Sequence, residues 1–283
     1  MLSTISKPVN LKVNKNGCFH SFGNFVSAPS IKFQAPKQEI KDKICNFKKI
    51  TWPVNDGCRD QVGQLQYIMD HSVRDKFTFT RLRYRSGDWD TDQRMPSNLL
   101  NSLIEYTTLP VNLQEKVIDL ESADLFHYPF CYISGHKLVQ FNTQESDHFR
   151  QYVHNGGFVF ADDCNHDIDG LFARSFEAQM QTLFGPAALQ KIPNNHQLYH
   201  SFFKFEKGPP NTSFELNGWG DDLVHDYLKA VIINDRIGVL YSNKDYGCEW
   251  DYDFRNKRFL AEDNTKFGVN IIMYALNAIG SPK

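Results

Sequence analysis

The chain has 283 residues, 41% of them hydrophobic, enough for one large domain or a domain with an extension. A net charge of −2 gives no electrostatic footprint for nucleic acid, and no run of 18 apolar residues offers a membrane span. The N-terminus also lacks the unbroken apolar core of a signal peptide, and the six cysteines form no C-x-x-C pair, so reduced thiols in a cytoplasmic protein are expected.

Residues 1–56 show no sustained period. Single aromatics, Phe19, Phe22, Phe25 and Phe33, are scattered among Lys, Asn, Ser and Pro. Isolated aromatics favour burial, so the segment reads as an extended N-terminal arm lying on the main domain. The alternative is a segment that docks a protein partner. Asp56-Gly57 signals a turn, and residues 57–283 are taken as the main domain. Val62, Leu65, Met69 and Val73 predict an amphipathic helix through about Ser72.

From Lys76 to Tyr84, Phe77, Phe79, Leu82 and Tyr84 set a strand pattern. It ends in a carboxylate-rich turn, Gly87-Asp88-Trp89-Asp90-Thr91-Asp92. Ser97 then reads as the N-cap of a helix carrying Leu99, Leu100, Leu103 and Ile104. Val117-Ile118-Asp119-Leu120 is a short strand. Phe130-Cys131-Tyr132-Ile133 centres another, which stops at Ser134-Gly135-His136. Asn142 and Glu145 offer a capping box for a helix closed at Asn155-Gly156.

The next stretch organises the chain. Gly156-Gly157 turns into Phe158-Val159-Phe160-Ala161, the length of a buried strand. Asp162, Asp163, Cys164, His166 and Asp167 crowd its end, and a helix with Leu171, Phe172, Phe176, Met180 and Leu183 follows, ended by Gly185-Pro186. Phe202-Phe203-Phe205 reads as an edge strand. Residues 230–233 and 237–241 flank Asn234-Asp235-Arg236 as a β-hairpin. Ser242 to Trp250 is polar and aromatic just after a strand, and Phe267 to Ile279 is a C-terminal amphipathic helix.

Strands alternating with helices predict an α/β fold with a mainly parallel sheet flanked by helices. Ligands of such sheets sit beyond the carboxyl ends of the strands. A small polar ligand or substrate is expected there, with Asp163, Cys164 and His136 as candidate catalytic groups. Arg83, Asp88, Trp89, Asp162, His196, Tyr199 and Asp245 are candidate ligand contacts. Asp163 as general base with Trp89 as a wall describes an enzyme; a non-catalytic ligand-binding or assembly module is the alternative. Asp163 and His166, joined by Asp88 or His136, would suit Zn, Mn or Fe. The bland reading competes: Asp162 and Asp163 cap the following helix. Cys164 reads first as a structural or hydrogen-bonding thiol and second as a nucleophile, because adjacent carboxylates disfavour the thiolate.

Residues 81–84 with 87–89, 125–130 with 135–136, 156–164, 189–199 and 241–245 together resemble a domain family of unknown function, DUF4159, from about residue 76 to 280. That family is similar to the class I glutamine amidotransferase-like superfamily, which includes the ThuA-like proteins. The resemblance implies a flavodoxin-like sheet with a site residue at the end of the strand after the Gly-Gly turn, near Cys164. Asp162 to His166 carries no elbow glycine, and His196-Gln197-Leu198 carries no carboxylate, so glutaminase activity is not expected.

Overall fold

Alternation along a strand decides which side of the sheet each residue faces. In the computed structural model, which describes residues 76–252 and 260–279, seven strands obey that rule. They are β1 (Thr80–Arg83), β2 (Lys116–Asp119), β3 (Phe130–Gly135), β4 (Phe158–Asp163), β5 (Leu189–Lys191), β6 (Lys229–Ile233) and β7 (Arg236–Ser242). They form one sheet in the order β2-β1-β3-β4-β7-β6-β5. The first five in that order are parallel, and β6 and β5 continue the sheet with antiparallel pairing. The parallel part therefore has the 2-1-3-4-5 order of doubly wound, flavodoxin-like sheets, with its switch point between β1 and β3.

The helices are α1 (Met95–Tyr106), α2 (Thr143–His154), α3 (Leu171–Phe184), the short α4 (Ser213–Leu216), α5 (Tyr246–Asp251) and α6 (Ala261–Ile279). One sheet face carries Phe79, Phe130, Tyr132, Phe158, Phe160 and Leu240 against α1, α5 and α6. The other carries Leu82, Cys131, Ile133, Val159, Ala161, Val239 and Tyr241 against α2 and α3. On the first face, rings from neighbouring strands meet in series. Phe79 and Phe130 have centroids 5.5 Å apart, Phe130 and Phe158 5.9 Å, and Tyr132 and Phe160 5.7 Å. Such pairs contribute about 0.5–1.5 kcal/mol each beyond their buried area. This is where part of the chain's large phenylalanine content is used.

Several local signals act as expected. The Asn142–Glu145 capping box is formed at α2, and Gly156 takes φ +108 behind that helix. Asn234 and Asp235 both have positive φ in the β6–β7 turn, as a two-residue hairpin with the sheet's twist requires. Others differ. Helix α1 starts at Met95, not at Ser97, because Pro96 fits the first turn, where a missing N–H breaks no helical bond. Helix α6 starts at Ala261, earlier than its apolar stripe suggested.

Phe202, Phe203 and Phe205 are not a strand. Asn270 of α6 takes the place of a strand neighbour: its Oδ1 accepts the Phe203 N–H at 2.7 Å, and its Nδ2 donates to the Phe203 carbonyl at 2.8 Å. The N-terminal arm of 1–56 and the helix through Ser72 lie outside the described residues. Among the described residues no helix is long and apolar enough to cross a membrane.

Asn270 is fully buried and its side chain also donates to the Leu198 carbonyl. Asn270→Ala would strip partners from buried backbone groups, a loss of about 1–3 kcal/mol. Urea denaturation should show that loss with an unchanged slope; an unaltered midpoint would contradict the role given to Asn270.

Candidate functional site

The loops that follow β1, β3, β4 and β7 gather at the carboxyl edge of the sheet. Arg81, buried in β1, shapes the first of them. Its guanidinium pairs with Glu115 at 2.9 Å and donates to the carbonyls of Trp89, Thr91 and Asp92. That curls residues 84–94 back over the sheet, where Thr91 meets Ser134 of β3 through their hydroxyls at 2.5 Å. Asp92 ends the curl with φ +50.

At the switch point, Asp88 joins the first loop to the third strand. Its Oδ1 accepts the N–H groups of His136 and Lys137 at 2.9 and 3.0 Å, and its Oδ2 lies 2.9 Å from His136 Nδ1. Burial alone would raise the Asp88 carboxyl, but these contacts outweigh it and hold it below its ordinary value. In β3 and β4, Ser134 pairs with Asp162 and Gly135 with Asp163. Asp88, His136 and Asp163 therefore share the same edge of the sheet.

Alternation splits the two aspartates. Asp163 faces the α2–α3 side, fully buried, with its oxygens taken by the Asn165 N–H at 3.0 Å and the Asn243 amide at 3.3 Å. Burial pushes its carboxyl up to about 6. Asp162 faces the α5 side. The Gly247 N–H donates to its Oδ2 at 2.6 Å, and its Oδ1 is buried without a hydrogen-bond partner. Burial, with the nearby charge of Asp92, pushes Asp162 up to about 8 against the pull of the Gly247 N–H.

Around Asp162 lies a compact acid–thiol cluster. Asp92, Cys164, Asp245 and Cys248 place one ligating atom each within 4.8 Å of one another. Cys248 Sγ is 3.1 Å from Asp92 Oδ1, Cys164 Sγ is 3.5 Å from Asp92 Oδ2, and the two sulfurs are 3.8 Å apart. Asp245, at φ +56, caps α5 through the Cys248 N–H, and burial first, then the charges around it, pushes its carboxyl well up. The contact with Cys248 lowers the Cys164 thiol, but burial and the charges of Asp245, Asp92 and Asp162 prevail and push it up to about 12. A cysteine so placed is a hydrogen-bonding group rather than a ready nucleophile. Gly247 makes the close approach possible. A Cβ there would stand 2.5 Å from Asp92 Oδ2 and 2.6 Å from the Tyr132 hydroxyl. Asp92 and Cys248 are only part-buried, so the cluster opens to solvent on their side.

The remaining sequence candidates fall elsewhere. Arg83 is exposed, forms a two-point ion pair with Asp119 and stands 5.8 Å from the Trp89 ring. Tyr199 is core, stacked on Phe267. His196 lies against Tyr274, whose hydroxyl receives the Ile237 N–H at the start of β7, the opposite end of the sheet. Asp167 accepts the Asp169 N–H in a local turn. His166 does not share a ligand group with Asp163; its neighbours are Asp221 and His225. Asp92 and Cys248 were not singled out in the sequence. Their signal was position: each lies in a polar stretch just past a strand.

The fold and this edge describe a doubly wound α/β protein with acidic and thiol side chains gathered at its strand ends. The chain belongs to the family described as domain of unknown function (DUF4159), whose match spans residues 78–276. Comparison with curated proteins finds no match.

The folded chain holds the Asp162 proton up to about pH 8, whereas an unfolded aspartate loses it near pH 4. Unfolding then releases a proton across that window, so stability falls as pH rises through it. Asp162→Asn removes the effect. The variant should gain on the parent by up to about 1.4 kcal/mol per pH unit between these limits, with no pH-dependent difference below them. Urea titrations at a series of pH values check this; parallel curves would contradict it.

Proposed function

We propose that the carboxyl ends of β1, β3, β4 and β7 form a small-molecule site with hydrolase-like acid–base chemistry. Asp92, Asp162 and Asp245 receive the positively charged or hydrogen-donating part of a small polar ligand. One observation carries this reading. Asp92 and Asp245, from the loops after β1 and β7, meet at the end of β4 with Asp162 in electrostatic reach, while the nearby buried cations are engaged elsewhere. Arg81 is held by Glu115 and three carbonyls, and Lys244 by Glu215 and the His225 carbonyl. Buried acids without a cation stay protonated or take positive charge from outside.

Asp162 is the acid–base group of this reading. It titrates near 8, where a side chain can both give and take a proton at neutral pH. Cys164 supports it by hydrogen bonding. Likeness to the class I glutamine amidotransferase-like superfamily supports the fold but not glutaminase chemistry, since Cys164 contacts Asp92 and Cys248 rather than a histidine. The site needs both sulfurs as thiols, a state that a reducing, cytoplasmic compartment maintains. A non-catalytic binding or assembly module would use the same cluster without turnover, with residues 1–56 docking a protein partner.

Ligand-observed NMR with a library of small amines and amides tests the reading. Bound members should weaken about tenfold or more in Asp92→Asn and in Asp162→Asn, while both variants keep a single cooperative thermal transition. Binding indifferent to both substitutions would overturn the site.

A further inference from the structure

We propose that His166, Asp221 and His225 form a binding site for a divalent transition-metal ion of the zinc class, separate from the acid–thiol cluster. One ligating atom from each lies within 4.8 Å of the others. Both rings are buried, with centroids 5.2 Å apart and planes at 78°.

His166 is set up as a ligand. Its Nδ1 is 2.6 Å from the Asn243 carbonyl oxygen, and a carbonyl only accepts, so Nδ1 carries the proton. That leaves a lone pair on Nε2, which is buried without a hydrogen-bond partner. A buried polar atom in that state costs about 1–3 kcal/mol unless something meets it. Metal-bound histidines are oriented in this same way, by a carbonyl on the other ring nitrogen.

Asp221 and His225 are spaced for the same ion. Asp221 Oδ2 is 2.9 Å from His225 Nε2. Two donors each about 2.0–2.1 Å from one ion stand about 2.9–3.4 Å apart, so the pair can chelate with little movement once His225 Nε2 is free of its proton and the ring holds its N–H on Nδ1. Asp221 is held in place by the Leu223 N–H, which donates to its Oδ1 at 3.0 Å, and by the Ile168 N–H, which donates to its Oδ2 at 3.3 Å.

The surrounding chain fixes all three. The Asp221 N–H donates to the His166 carbonyl at 3.0 Å. Gly220, at φ +72, permits this: a Cβ there would stand 1.9 Å from the His166 carbonyl oxygen. His166 itself has φ +48, a backbone conformation that a side chain larger than glycine rarely adopts. His225 is clamped at both backbone groups by a buried ion pair. Its N–H donates to Glu215 Oε1 at 2.8 Å and its carbonyl accepts from Lys244 Nζ, which itself bonds both Glu215 oxygens at 2.5 and 2.7 Å. A buried ion pair contributes little net stability. Here it holds a histidine in place.

Two imidazoles and one carboxylate suit zinc, iron or manganese rather than calcium or magnesium, which take oxygen ligands. Three protein ligands leave a position for water or a ligand atom. The site does not rest on the small-molecule reading above.

The test uses the full chain, stripped with a chelator and titrated with Co(II) and Zn(II). One equivalent of each should bind, and bound Co(II) should show a nitrogen–oxygen ligand field without an intense thiolate charge-transfer band. Binding should weaken at least about tenfold in Asp221→Asn and in His225→Ala, and persist in the double variant Cys164→Ser with Cys248→Ser. Should a histidine variant not fold, Co(II) broadening of the His166 and His225 imidazole resonances in the parent chain gives the same answer. No saturable binding, or binding with a thiolate spectrum that the cysteine variants abolish, would overturn the proposal.

Discussion

A carboxylate cannot leave water as an anion unless something compensates it. The carboxyl edge of this sheet places Asp162 and Asp245 in the interior beside Asp92 and two thiols, and that constraint governs everything around them. With Arg81 and Lys244 engaged elsewhere, burial is answered by protonation, which leaves an acid that titrates within the physiological range. The same surroundings keep the thiols protonated. The cluster is thus held together by hydrogen bonds among protonated groups.

The fold makes this possible by topology rather than by any one motif. Parallel strands all deliver their carboxyl ends to one edge, so residues as distant as Asp92, Cys164 and Asp245 become neighbours, with Asp162 close enough to feel the charges of Asp92 and Asp245. The 2-1-3-4-5 order opens the switch point between β1 and β3, where Asp88 binds the His136 backbone and ring. Arg81 then fixes the loop that carries Asp92. The small side chain of Gly247 lets α5 press its N-terminus against the cluster.

Much of this was readable in the sequence. Gly156-Gly157 before four apolar residues marks a core strand because the run is too short for a helix and is bounded by a glycine turn. Asp88 and His136 meet because each follows a strand. What could not be read is which of two adjacent aspartates joins the thiols. Asp162 and Asp163 are equally buried, their different partners follow from the face each takes, and a strand apolar on both sides carries no signal for that choice. His196 is a candidate ligand contact by sequence, but its ring settles on Tyr274 at the far end of the sheet. Phe202 to Phe205 imitates a strand because Asn270, 67 residues from Phe203 in sequence, supplies the partner bonds. The meeting of His166 with Asp221 and His225 depends on the close approach at Gly220, a tertiary contact that spacing does not encode.

The central claim is that Asp162 is a protonated, buried acid poised at the strand ends. Carbon-13 NMR of carboxyl-labelled aspartate, with the Asp162 signal assigned by its loss in Asp162→Asn, follows that one group through a pH titration. A midpoint near 8 is the predicted result. A midpoint near 4, the ordinary aspartate value, would mean that the group is solvated or paired with a cation, and the account of the cluster would fail.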